Sequence, residues 1–171
     1  GEYYSSDKKP KAEPKKCVLV LPRIEGGPIA KVTPELEASI ERGTALASGV
    51  TFARDLVNEP SNTLSPIELA ARSRKLADET NLTCTIMTEK QIAKRGMGLL
   101  TAVGQGSDEP PRFIHLIHRP KGVDSQGKIA LVGKGVTFDS GGLSLKTSKG
   151  QFDMKSDMAG AATVLGLMRA A

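Results

Sequence analysis

Residues 131–162 read LVGKGVTFDSGGLSLKTSKGQFDMKSDMAGAA, and the lysines, aspartates and glycines mixed in this run decide how the chain is organised. An apolar run, Ile129 to Val132, ends in a glycine-rich turn at Gly133 and Gly135. Lys134, Asp139, Lys146, Asp153, Lys155 and Asp157 follow in a segment that otherwise reads as half buried, and Ala159, Gly160, Ala161 and Ala162 open a helical pattern. A surface loop of solvated ion pairs accounts for such a mixture, with little gain in stability. A dinucleotide loop needs a third glycine where Phe138 stands, and a Walker-type phosphate loop needs Gly-Lys-Ser/Thr four residues after a glycine; the run has neither. A divalent-metal site stays open beside the ion-pair loop. Asp139 and Asp157 offer hard oxygen donors, and the glycines at 141 and 142 let backbone come close to a ligand.

Outward from this run, Lys128 to Val132 is nearly continuous in apolar residues, the pattern of a strand buried on both faces. Lys134 and Asp139 then lie just past its carboxyl end, where open α/β sheets place their catalytic loops. Asp157 to Ala171 reads as a helix with Val164, Leu165 and Met168 available for packing. Upstream, Arg112 to His118 (RFIHLIH) reads as a strand holding both histidines. Residues three apart in a strand project to opposite faces, so His115 and His118 read as core or edge histidines rather than a ligand pair. Leu82 to Thr88 (LTCTIMT) alternates like a strand, a short helix covers Glu89 to Arg95, and the glycine-rich stretch after it is loop with room for a helical turn, Asp108 and Glu109 facing solvent.

Thr33 predicts an N-cap and Pro34 the first position of a helix, in which Leu36, Ile40, Gly43, Ala47, Val50 and Val57 keep helical spacing up to Pro60. Arg54 and Asn58 at its end read as structural, fixing the turn. Ser65-Pro66-Ile67-Glu68 is a capping box that opens a second helix to about Glu79, with Leu69, Leu76 and Ala77 on one face. Cys17 to Leu21 is a short apolar strand closed by Pro22. Residues 1–16 are lysine- and proline-rich, the composition of a solvated linker. Strands alternating with helices give an α/β fold, a layered mixed sheet flanked by helices.

Composition narrows the function classes. The chain has 171 residues, 39% hydrophobic and 25% charged, with aromatic residues only 4% and no tryptophan, so its core is aliphatic and alanine-rich. The net charge is +5; residues 1–16 hold five lysines against three acids, and the remaining +3 is spread over 155 residues. That is too dilute for a nucleic-acid footprint, so nucleic acid is not an expected partner. No run approaches the roughly 20 apolar residues that span a bilayer, so no membrane is expected. Cys17 and Cys84 match no zinc-ligand spacing and read as free thiols of a reducing compartment, the cytoplasm, or an organelle after removal of a transit peptide.

The run VGKGVTFDSGGLSLK, followed by MKSDMAGAA, closely resembles the signature of the leucyl aminopeptidase family of dinuclear zinc or manganese exopeptidases. RDLVNEPSN is a second, weaker match. The resemblance implies hydrolysis of the first peptide bond of peptide substrates, with a leucine-like preference, by a water activated between two divalent ions (Zn or Mn, with Mg as a further option). It implies that Lys134 binds a metal through its amine, that Asp139 bridges both metals and that Asp157 completes the tighter site. It implies that Lys146 is catalytic and points at the substrate carbonyl, and that Met154 lines the pocket for the first side chain. Asp153 and Lys155 match no catalytic position, so a solvated or structural role is expected of them.

A lysine binds metal only as the free amine, so the cation must displace its proton. The family draws further ligands and an arginine from an Asn-Thr-Asp-Ala-Glu-Gly-Arg segment several dozen residues downstream, which residues 1–171 do not contain. The expected organisation is therefore residues 1–33 as linker and tail of an N-terminal domain, and 34–171 as the first part of the metallopeptidase catalytic domain, incomplete at the C-terminus. A homohexamer is implied as well. The rival expectation is a catalytically inactive structural or regulatory homologue of the same fold.

Overall fold

The computed structural model describes residues 16, 18, 20, 32–120, 122 and 127–171. The linker at 1–15, most of the Cys17–Leu21 strand, Cys17 itself and most of the turn at 121–126 lie outside these. The chain divides into two compact units, Gly1–Arg42 and Gly43–Ala171.

Helix α1 spans Pro34–Asn58, starting where the Thr33-Pro34 signal puts it. The Leu36 N–H donates to Thr33 Oγ1 at 3.3 Å, satisfying one of the donors a helix start leaves free. Helix α2 spans Pro66–Thr80 behind the N-cap Ser65, whose hydroxyl accepts from the Glu68 N–H at 3.4 Å. Glu68 turns its carboxylate to Arg72 instead, whose Nε donates to it at 2.8 Å. Asn81 ends α2 in the left-handed conformation, φ 55°.

Strand β1, Thr83–Met87, pairs antiparallel with β2, Phe113–Ile117, with Cys84 opposite Leu116 and Ile86 opposite Ile114. Between them lie α3, Glu89–Lys94, and α4, Gly98–Gly104. The helical turn allowed for within the glycine-rich stretch is thus a seven-residue helix. Helix α5, Ser148–Gln151, a 3₁₀ turn, Met154–Ser156, and α6, Ala159–Ala170, complete the order. Among the described residues no helix is long and apolar enough to cross a membrane.

The core is aliphatic, as the composition requires. Leu56 of α1, Leu64, Leu69 and Leu76 of α2, and Met158, Ala162 and Leu165 at α6 form one buried cluster, against which Phe52, Ile114 and Leu116 pack. Each fully buried leucine contributes about 1.5–3 kcal/mol. The α2 face is the one its spacing predicts, with Leu69, Leu76 and Ala77 all buried.

Two expectations are corrected. Helix α1 buries Gly49 and Leu56, with Phe52 and Ala53 partly buried beside them; of the apolar positions at helical spacing Val57 packs against this core, whereas Ile40 and Val50 are exposed. The reason is Gly49: it lets α6 approach so closely that a Cβ on Gly166 would sit 2.6 Å from Gly49 O. That contact draws its own side of the helix inward. The second correction concerns the strand at Lys128–Val132. Residues 127–133 form no regular element, and Ile129 is 91% and Val132 93% exposed. A strand buried on both faces needs neighbours on either side, and among the described residues the sheet is β1 paired with β2 alone. The rule placing a site at that strand's carboxyl end therefore has no strand to act on.

Arg72 ties α2 to the α1–α2 turn. Its guanidinium forms a fork on Glu59, with Nη2 donating to Oε1 at 2.9 Å and Nη1 pairing with Oε2. These bonds hold its proton even more firmly than usual, the Glu59 hydrogen bond being the largest cause. The pair is partly exposed, so the expected cost of Glu59→Gln is modest, about 1–2 kcal/mol. A urea titration in low and in high salt checks this; an unchanged midpoint would make the fork ornamental.

Candidate active site

Lys134 is positioned by its backbone. The Ala161 N–H donates to Lys134 O at 2.8 Å, which seats the chain on the first turn of α6. The approach is close on both sides: a Cβ on Gly133 would lie 2.6 Å from Gly160 O, and one on Gly160 would lie 2.9 Å from Lys134 N. Small residues on each strand of this contact let the amine reach Asp157. Lys134 Nζ pairs with Asp157 Oδ2 and also lies 3.4 Å from Asp157 O. The Asp157 side chain is 22% exposed and its Oδ2 is fully buried, with no other partner than that ammonium among the described residues.

Asp139 is held by a loop that glycine makes passable. Gly141 has φ +95°, and a Cβ there would press on Ser144 O and lie 2.9 Å from Lys146 N; only glycine meets both demands. The loop closes through the Lys146 N–H donating to Ser140 O at 2.9 Å. Asp139 Oδ1 accepts from the Gly141 N–H at 2.9 Å, and Oδ2 faces Lys146 Nζ at 2.8 Å. The Lys146 hydrogen bond, then the Gly141 N–H, hold the Asp139 carboxyl below the usual carboxylate range, with the charge of Lys134 adding to them. Lys146 Nζ also donates to Met154 Sδ at 2.9 Å.

The five site residues read from the sequence thus fall into two linked pairs plus a thioether: Lys134 with Asp157, and Asp139 with Lys146 and Met154. Two ammonium groups balance two carboxylates. Residues that the sequence reading passed over support them. Gln151 Nε2 donates to Lys146 O at 2.9 Å, and Thr147 caps α5 by accepting from the Gly150 N–H at 3.2 Å. Thr147-Ser-Lys-Gly was readable as a cap; the bond from Gln151, the last residue of α5, back to Lys146 five residues earlier left no local signal. Asp153 is exposed, and Lys155 donates to Asn58 O at 2.7 Å, a structural contact of the kind expected. His115 and His118 are both exposed, and His115 faces Thr85 across the sheet.

The donor set fits a divalent cation in part. One carboxylate and one amine meet at Asp157 and Lys134, with Asp139 in the neighbouring pair, and a buried carboxylate oxygen with a single partner is what a metal ligand looks like without its metal. Among the described residues no group of three or more histidines, cysteines or carboxylates gathers, so these three donors stand without further protein ligands.

Cys84 lies on β1 away from this cluster. Burial pushes its thiol above the usual range, with Asp78 adding to the effect and Arg74 opposing it. Since the thiolate is the reactive form, alkylation by iodoacetamide at pH 8 is expected to run slower than for a small-molecule thiol, and to accelerate as pH rises. Equal rates at pH 8 would count against this.

Residues 51–171 match the profile of the cytosol aminopeptidase family, catalytic domain. A probable cytosol aminopeptidase of Aquifex aeolicus is 52% identical over 134 residues, covering 78% of this chain and 27% of that protein. One of Solibacter usitatus is 48% identical over 142 residues, covering 83% and 30%. Among solved structures, the bottromycin maturation enzyme BotP in complex with Mn is 43% identical with a TM-score of 0.71, over 81% of this chain and 30% of that one. A second BotP structure is 40% identical with a TM-score of 0.74, over 98% and 32%. The chain spans under a third of the length of each of these relatives.

Proposed function

Since the chain belongs to the cytosol aminopeptidase family, we propose that residues 34–171 are the first part of a metal-dependent catalytic domain that releases N-terminal amino acids, with a leucine-like preference, from peptides. Residues 1–33 then lead in from a preceding domain, and β1 and β2 belong to a larger layered sheet. The observation that carries the proposal is the buried Oδ2 of Asp157, which among the described residues meets the Lys134 ammonium alone.

In this reading Lys134, Asp139 and Asp157 hold divalent ions, Zn or Mn, with Mg as an alternative. Such ions, when bound, supply Lewis acidity toward a peptide carbonyl and a water. Lys134 must then offer Nζ as the free amine, so its ion pair with Asp157 and its role as a donor exclude each other. Lys146 keeps its proton. With Asp139 engaged as a ligand, its ammonium retains Met154 Sδ as an anchor and has N–H donors left for the substrate's carbonyl oxygen, where negative charge develops. Met154 lies beside it and forms part of the wall against the first side chain. Membership among cytosol aminopeptidases supports a cytoplasmic location, and the family resemblance supports a homohexamer.

The test is hydrolysis of leucyl amide by the full-length protein before and after a chelator. Activity is expected to vanish with chelation and to return on adding Mn²⁺ or Zn²⁺. Turnover indifferent to the chelator refutes the metal assignment, and metal uptake without any turnover identifies an inactive homologue.

A further inference from the structure

The 3₁₀ turn Met154–Ser156 carries more of the site than its own bonds can hold still. Met154 opens it and contacts Lys146, and Asp157, which follows it, pairs with Lys134. Both halves of the site therefore depend on one three-residue turn. Its internal bonds are few: the Ser156 N–H and hydroxyl both donate to Asp153 O, at 2.9 and 2.6 Å, and the Asp157 N–H to Met154 O at 3.2 Å. Asp153 at its start gives no side-chain cap. Short 3₁₀ segments have poor hydrogen-bond geometry, and the buried Met158 fixes only the far side, where α6 begins.

The missing anchor comes from Lys155, in the middle of the turn. Its Nζ donates to Asn58 O at 2.7 Å, across 97 residues of sequence. Asn58 ends α1, a helix with no basic residue in its own last turn. The last carbonyls of a helix lack partners within it and carry its negative end, so an ammonium is the side-chain chemistry that suits this point. We propose that Lys155 is a positioning residue: its bond to the end of α1 fixes the rotation of the 3₁₀ turn, and with it the aim of Asp157 and Met154. Its catalytic consequence rests on the aminopeptidase reading above; its structural content does not.

Amide hydrogen exchange on the full-length protein tests the proposal with Lys155→Met and Lys155→Arg. In Lys155→Met the Ser156 and Asp157 amides are expected to exchange about tenfold faster, with the amides of Leu69 and Leu76 in α2 unchanged. Lys155→Arg, which keeps a cationic donor, is expected to restore the slow exchange. Unchanged exchange at Ser156 and Asp157, equal acceleration in α2, or arginine behaving like methionine each overturns it. A parallel Mn²⁺ titration should show weaker uptake in Lys155→Met and recovery in Lys155→Arg. If the unsubstituted full-length protein takes up no Mn²⁺, the metal-dependent aminopeptidase reading fails, while the exchange pattern still decides the role of Lys155.

Discussion

In the full-length protein, on the function proposed above, Lys146→Ala is expected to lower kcat on leucyl amide by about 10²–10³-fold, with KM little changed and the metal content intact. Lys146 is not among the three donors that the metal reading uses, so its loss should spare binding of the ions. What disappears is a charged donor standing 2.8 Å from Asp139 Oδ2 and 2.9 Å from Met154 Sδ. A group aimed at charge that develops only during reaction acts on kcat, because it gains nothing in the ground state. Asp139→Ala supplies the contrast, since it should abolish metal uptake as well as turnover. A second readout separates the roles without any assay. Lys146 is the largest cause holding the Asp139 carboxyl low, so in Lys146→Ala that carboxyl should titrate closer to the ordinary range. Metal loss on Lys146→Ala would recast it as part of the ligand cage.

How much of this was legible beforehand follows the range of the interactions involved. Helix starts at Thr33-Pro34 and Ser65-Pro66 could be read because an N-cap hydroxyl and the N–H it accepts lie within three residues of each other. The α2 face could be read because Leu69, Leu76 and Ala77 outnumber any competing apolar positions on that helix. The α1 face could not, because its deciding residue is Gly49, which has no hydropathy to count, and because its partner Gly166 lies on another element. Lys128–Val132 has a strand's composition, but pairing is a property of neighbours, and here they are wanting among the described residues. At the site, family resemblance marked Lys134, Asp139, Lys146, Met154 and Asp157; which ammonium meets which carboxylate is tertiary information. Lys155 shows the limit most clearly, since its acceptor is a backbone carbonyl 97 residues away and no sequence pattern encodes it.

Gly166→Val is expected to destabilise the fold by about 3 kcal/mol, enough to lower the melting temperature by roughly 6–12 °C in a chain of this size. The argument is geometric. A Cβ on Gly166 would lie 2.6 Å from Gly49 O and 3.1 Å from Ala53 Cβ, and a Cβ on Gly49 would press on Gly166 O and lie 3.3 Å from Ala170 Cβ. Backbone cannot yield as a flexible side chain does, so α1 and α6 must part, and Leu56, Ala162 and Leu165 lose close packing with each other. Helix propensity pulls the opposite way, because glycine inside a helix costs about 1 kcal/mol relative to alanine. Gly43 isolates that opposing effect. It lies on the same α1, and a Cβ there meets nothing within 4 Å, so Gly43→Ala should stabilise by about 0.5–1 kcal/mol. Gly49→Ala, the same change six residues further along the same helix, should destabilise. Thermal unfolding of these three variants decides between the two effects: if Gly49→Ala gains stability as Gly43→Ala does, the helices do not cross through their glycines, and the buried face of α1 must be reassigned.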